Sequence, residues 1–155
     1  MRQLRGTRVA IGLCASLAAD SAAAETSPFI GQWHWNPAQS TMPPGETAPK
    51  DLTTELSRVD GHLTWSVTVV TPQGRPYVET FDVPANGEFY PVDSDITASL
   101  RVTGDALHAT FKGSAGQSDA FTCTLTADHK TMTCNGVLDE GNGRTTSYVD
   151  VYDRV

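Results

Sequence analysis

The stretch Cys123-Thr124-Leu125-Thr126-Ala127-Asp128-His129-Lys130-Thr131-Met132-Thr133-Cys134 reads as two alternating half-strands folded about the polar turn Ala127 to Lys130. A turn centred on Asp128 and His129 sets Cys123 directly opposite Cys134. Facing residues on antiparallel strands lie within the Cα separation that a disulfide tolerates. No C-x-x-C spacing is present to depress a thiol pKa, so the pair reads as a structural staple rather than a redox couple.

The period of two continues outward from this hairpin in both directions. Toward the N-terminus, Leu107, Ala109 and Phe111 share one face, Gly104-Asp105 turns, and Ile96, Ala98, Leu100 and Val102 share the next. Before them come Phe89 to Val92, Tyr77 to Val83 after the turn at Pro72-Gln73-Gly74, and the stripe Leu63, Trp65, Val67 and Val69. That stripe follows the Asp60-Gly61 turn and the alternating segment Leu52 to Leu56. Toward the C-terminus, the loop Asp139 to Gly143 precedes a last strand from Arg144 to Arg154. Val149 and Val151 lie on one face of it and Tyr148 and Tyr152 on the other, and alternation leaves open which face turns inward. Between Asn36-Pro37 and Lys50, the segment Ala38 to Pro49 carries Pro43, Pro44, Gly45 and Pro49. It reads as a long loop with room for one short helical turn.

No window of a dozen residues shows the helical period of 3.6. The chain is therefore predicted to be all-β, about ten short strands joined by hairpins, for which a sandwich or a barrel is expected. A meander that closes on itself hides both edge strands at once, so an antiparallel up-and-down barrel of about 8–10 strands is preferred over the sandwich.

Arg2, Arg5 and Arg8 precede the apolar run Val9 to Ala19 and the small residues Ala22-Ala23-Ala24, the order of a cleavable signal peptide over residues 1–24. The run is too short for a membrane span, and Leu13 before Cys14 argues against lipidation. One domain over 25–155, periplasmic or secreted, is the expectation. Cleavage removes three of the 11 basic and one of the 18 acidic residues, taking the formal charge from −7 to about −9. Such a surface argues against nucleic acid or anionic membrane as partner. Cys14 leaves with the leader, so Cys123 and Cys134 become the remaining thiols of a chain bound for an oxidising compartment.

Gly31-Gln32-Trp33 resembles the G-x-W motif that opens lipocalin-like barrels. The longer Gly31-Gln32-Trp33-His34-Trp35-Asn36-Pro37-Ala38-Gln39-Ser40, together with Asn86-Gly87-Glu88-Phe89-Tyr90-Pro91-Val92, resembles small exported bacterial proteins of unassigned activity, over most of residues 29–154. The resemblance implies a lipocalin-like barrel whose motif tryptophan plugs the closed end, with a last-strand arginine across its ring. Arg154 and Arg144 are both available for that place.

The sequence carries few marks of chemistry. His34, His62, His108 and His129 have no partner at a zinc-site spacing, and neither a metal nor any other cofactor is expected. No G-x-S-x-G and no phosphate loop is present. Glu79 alternates with Tyr77 and Phe81, so it faces inward if those rings do; the plainer reading points it to water. The leading reading is a binding barrel that takes a small, mainly apolar ligand on Trp33, Trp65, Tyr77, Glu79, Phe81 and Phe111. Two rivals stay open: an inhibitor presenting the loop Ala38 to Pro49 to an extracytoplasmic enzyme, and a barrel-mouth acid–base enzyme using Glu79, Tyr77 or His34. A binder is preferred to an enzyme, and the oligomeric state is left open.

Overall fold

The structure, a computed structural model, describes residues 27–155, and the expected leader over 1–24 lies outside the described residues. Ten strands follow in chain order: β1 Gly31–Trp35, β2 Asp51–Val59, β3 His62–Val70, β4 Pro76–Pro84, β5 Tyr90–Pro91, β6 Ile96–Thr103, β7 Ala106–Gly113, β8 Ser118–Leu125, β9 Thr131–Asp139 and β10 Thr145–Arg154. They form one antiparallel sheet in the order β4-β3-β2-β1-β10-β9-β8-β7-β6-β5, so consecutive strands pair everywhere except between β4 and β5, and β1 closes onto β10. The gap lies between β4 and the β5–β6 edge, where the Phe81 ring meets that of Phe111 at 4.7 Å. The result is the nearly closed up-and-down barrel that the hairpin meander implies. Asp60 and Gly61, both at positive φ, form the two-residue turn between β2 and β3, with Val59 opposite His62.

The register seats Cys123 opposite Cys134, and the two are disulfide-bonded. Both sulfurs belong to the buried interior. Because the bond closes a loop of about a dozen residues, Cys123→Ser with Cys134→Ser is expected to destabilise the barrel by about 2–3 kcal/mol in chemical denaturation, without unpairing β8 from β9.

The core fills one end. Phe29, Trp33, Leu56, Leu63, Val83, Leu100, Leu107 and Met132 are fully buried there. Trp33 donates its indole N–H to the Phe29 carbonyl at 2.9 Å, and the Arg154 guanidinium lies 4.0 Å over its ring. Arg154 also donates to the backbone oxygens of His129, Ile30 and Pro28. Of the two arginines the resemblance offered, Arg154 holds the place; Arg144 sits at the surface beside Glu140.

Alternation carries the inward face from this plug toward the opposite end. Along β3 and β4 the facing pairs run Leu63–Val83, Trp65–Phe81 and Val67–Glu79, from fully buried through lining to rim. The segment between β1 and β2 makes one short helical turn at its start, where the Asn36 carbonyl accepts from the Gln39 and Ser40 N–H groups at 3.2 and 3.1 Å. Thr41 pairs with Val149 of β10, and Met42 packs on the core. On β10 the inward face is the one bearing Tyr148, Asp150 and Tyr152, whereas Val151 is buried on the outside, where its N–H donates to Ser40 Oγ.

Candidate functional site

Above the packed end the barrel holds a cavity of about 320 Å³. Trp65, Val67, Phe81, Ile96, Phe111 and Phe121 form its apolar wall. Trp65 meets Phe121 edge to face at 5.3 Å, and Phe121 stacks along Phe111 at 6.1 Å, so one aromatic chain runs from β4 through β7 and β8 to β3. The rest of the lining is polar, made by Asp119 on β8, directly across from Phe111 in the register, and by Tyr148, Asp150 and Tyr152 on β10, with Glu79 at the rim. A second compartment of about 260 Å³ adjoins it and shares Asp119, Tyr148 and Asp150; Met42, Pro43, Glu46 and Pro49 of the proline-rich segment roof it.

A missing side chain builds the polar wall. Tyr148 of β10 lies opposite Gly136 of β9, and a Cβ at position 136 would fall 2.1 Å from the phenol ring. The ring therefore lies flat across β9, and its hydroxyl reaches β8 to donate to Asp119 Oδ1 at 2.7 Å. Beside it, Asp150 Oδ1 accepts the Trp35 indole N–H at 2.9 Å. The indole nitrogen of Trp65, in contrast, is buried without a partner among the described residues.

Solved structures share this architecture. A point mutant of the fluorescent protein UnaG superposes with a TM-score of 0.57 at 15% identity, covering 83% of this chain and 96% of that one. Apo lipid binding protein 8 of Caenorhabditis elegans does so with a TM-score of 0.56 at 9% identity, over 86% and 100% of the two chains. Zebrafish ileal bile acid-binding protein complexed with cholic acid matches with a TM-score of 0.50 at 17% identity, over 83% and 100%. The chain is a calycin-like β-barrel. No family model and no curated protein sequence matches it, and at these identities the likeness is one of fold.

In this calycin-like barrel the residues singled out by pattern part company. Trp65, Phe81, Phe111 and Glu79 meet at the cavity, Glu79 from an exposed position at its rim. Trp33 does not line it, being sealed beneath Arg154 at the other end, and Tyr77 is 45% exposed one step beyond the rim. His34 projects from the outer face of β1 and contacts Asp51 at 2.6 Å, so Glu79, Tyr77 and His34 are not brought together. Asp119, Phe121, Tyr148, Asp150 and Tyr152 were not among the residues singled out for the site. Cys123 carried the signal for two of them: once it faces inward, period two turns Phe121 and Asp119 inward with it.

Burial pushes the Asp119 carboxyl above its usual range, against the lowering effect of the Tyr148 hydrogen bond, and the charges of Asp150 and Glu46 push it up further. Asp150 is raised likewise, by burial first, against the Trp35 hydrogen bond and with the help of Glu46. A carboxyl whose folded pKa exceeds its unfolded value holds more protons when folded, so stability falls as pH rises through that window. Relative to the parent, Asp119→Asn should therefore gain stability as pH rises from about 4 toward 7, as read by urea midpoints. Burial also raises the phenols of Tyr148 and Tyr152, far beyond their usual range, with the Asp119 and Asp150 charges adding to it. Their contribution is lost as pH rises through about 10, where the unfolded phenol ionises.

Proposed function

We propose that the chain is an exported binding barrel that takes a small, mainly apolar molecule in the cavity beneath Glu79. The observation that carries this reading is the cavity itself, about 320 Å³ walled by Trp65, Phe81, Phe111 and Phe121 at the unplugged end. Natural ligand pockets are concave, mainly apolar and about 300–1,000 Å³, with a few placed polar groups. The barrel neighbours include a lipid-binding protein and a bile acid-binding protein, which supports the reading by analogy of fold. Export is supported by the disulfide, which needs an oxidising compartment to persist, and by the leader pattern of residues 1–24.

The proline-rich segment favours the binder over the inhibitor. Rather than projecting toward a target, it is tied to β10 through Thr41, buries part of Met42 and roofs the second compartment. Titration of the folded protein with fatty acids, retinoids and small aromatic compounds, followed by tryptophan fluorescence, is expected to give a saturable change with at least one class, because Trp65 stands in the cavity wall. A flat response to the whole panel from protein with an intact β circular-dichroism spectrum rejects the reading.

A further inference from the structure

We infer that the ligand of this barrel is a cationic amphiphile, an apolar or aromatic body bearing a protonated amine, and not a fatty acid. The inference rests on the binding reading above and sharpens it to a charge class. Glu79, Asp119 and Asp150 line the cavity, Glu46 adds a fourth carboxyl in the adjoining compartment, and neither space is lined by a Lys, Arg or His among the described residues. A ligand carboxylate entering there would meet like charges and no cation, whereas an ammonium would meet carboxylate acceptors with aromatic rings beside them.

The hydrogen bonding of the polar wall is left half-made in the sense such a ligand needs. Asp119 and Asp150 each accept one protein donor on Oδ1, from Tyr148 and Trp35 respectively, and the Oδ2 atom of each has no protein donor among the described residues. An ammonium has three N–H donors and no acceptor, so it supplies the donors these free oxygens lack. The carboxyls do not gather as metal ligands: among the described residues no group of His, Cys, Asp and Glu could hold a metal ion. They are spread along a wall, as recognition of a headgroup attached to a larger body requires.

A second, independent observation marks the same cavity as incomplete. Trp65 lines it, is 5% exposed, and has a buried indole N–H with no partner among the described residues. Buried donors are satisfied in the great majority of cases, and a shift of this ring as a ligand enters would bring the N–H within reach of a ligand acceptor. A hydroxyl, ether or carbonyl oxygen near the amine would supply it.

The test compares dodecylamine, dodecanol and dodecanoate, one apolar chain with three headgroups, titrated below micelle-forming concentrations at neutral pH against the folded, oxidised protein by tryptophan fluorescence. Dodecylamine is expected to bind at least about tenfold more tightly than dodecanoate, with dodecanol between them, a ratio that corresponds to about 1.4 kcal/mol. Asp119→Asn and the exposed rim variant Glu79→Gln, whose folding is not at stake, should each narrow the amine-to-carboxylate ratio several-fold. Asp60→Asn, a remote surface carboxylate, should leave the ratio as it was. Equal or tighter binding of dodecanoate overturns the inference while the binding reading stands. So does a preference eroded as much by Asp60→Asn as by Asp119→Asn, which would assign it to net surface charge. Binding of none of the three, nor of any other amine tried, overturns the inference, and the binding reading falls with it only if the fatty acid, retinoid and aromatic panel also gives a flat response.

Discussion

Trp33→Ala is expected to destabilise the oxidised barrel by about 3–5 kcal/mol, the range for removing a fully buried aromatic from a packed core. The ring is wholly excluded from solvent, and its indole N–H ties β1 to the Phe29 carbonyl before the strand begins. Arg154→Ala should cost less, about 2–3 kcal/mol, because the guanidinium remains half-buried and its backbone partners can reach water when it is gone. The two should not be additive: with the guanidinium 4.0 Å over the ring, a double-mutant cycle is expected to return a coupling of about 1 kcal/mol. Gly31 belongs to the same unit. Its φ of +134° and the Arg154 Nη1 atom 2.7 Å from where a Cβ would stand leave no room for a side chain. A Trp33→Ala loss below about 1 kcal/mol in urea denaturation would show that the plug is not what holds this end closed.

That plug also shows how far pattern reading reaches in this chain. Strands and turns were legible because each hairpin is local: Asp60-Gly61 fixes the pairing of β2 with β3, and the Asp128-His129 turn fixes Cys123 against Cys134. The closure of β1 on β10 is not local, since Trp33 pairs with Arg154 across nearly the whole described chain. The G-x-W motif pointed to an arginine there and could not choose between Arg154 and Arg144. The binding wall was half legible for the same reason. Trp65, Phe81 and Phe111 announce themselves as aromatics on alternating strands, and Glu79 follows from them. Asp119 and Asp150 look like any solvated carboxylates until the orientation of β10 is known, and that strand alternates apolar residues on both faces. The segment Asn36 to Thr41 runs alongside β10 and bonds the backbone of Val149 and Val151, and Val151 is buried on the outer face while the tyrosine face turns inward. Trp33 and Trp35 illustrate the converse. Alternation turns both inward, but it does not say how far along the axis the packed core ends and the cavity begins.

Gly136→Ala is expected to cost about 3–4 kcal/mol and to damage ligand binding, although residue 136 bears no functional group. The added methyl would stand 2.1 Å from the Tyr148 ring, far inside contact distance, and the ring's only free direction is into the cavity. Moving there takes its hydroxyl away from Asp119, which then keeps a half-buried carboxyl without its donor, and it fills space that a ligand would use. Three consequences separate this account from a general intolerance of β9 to side chains. Tyr148→Phe alone, which removes the hydrogen bond and keeps the ring, should cost only about 1–2 kcal/mol and preserve the cavity. Tyr148→Ala should make Gly136→Ala nearly silent, a coupling of about 3 kcal/mol or more in the double-mutant cycle, because the methyl then has nothing to displace. Binding of any ligand that shifts Trp65 fluorescence should weaken at least about fivefold in Gly136→Ala, about 1 kcal/mol, and recover in the double variant. If Gly136→Ala remains as destabilising in the Tyr148→Ala background as in the parent, the glycine is needed by the strand itself and the phenol's path to Asp119 is incidental.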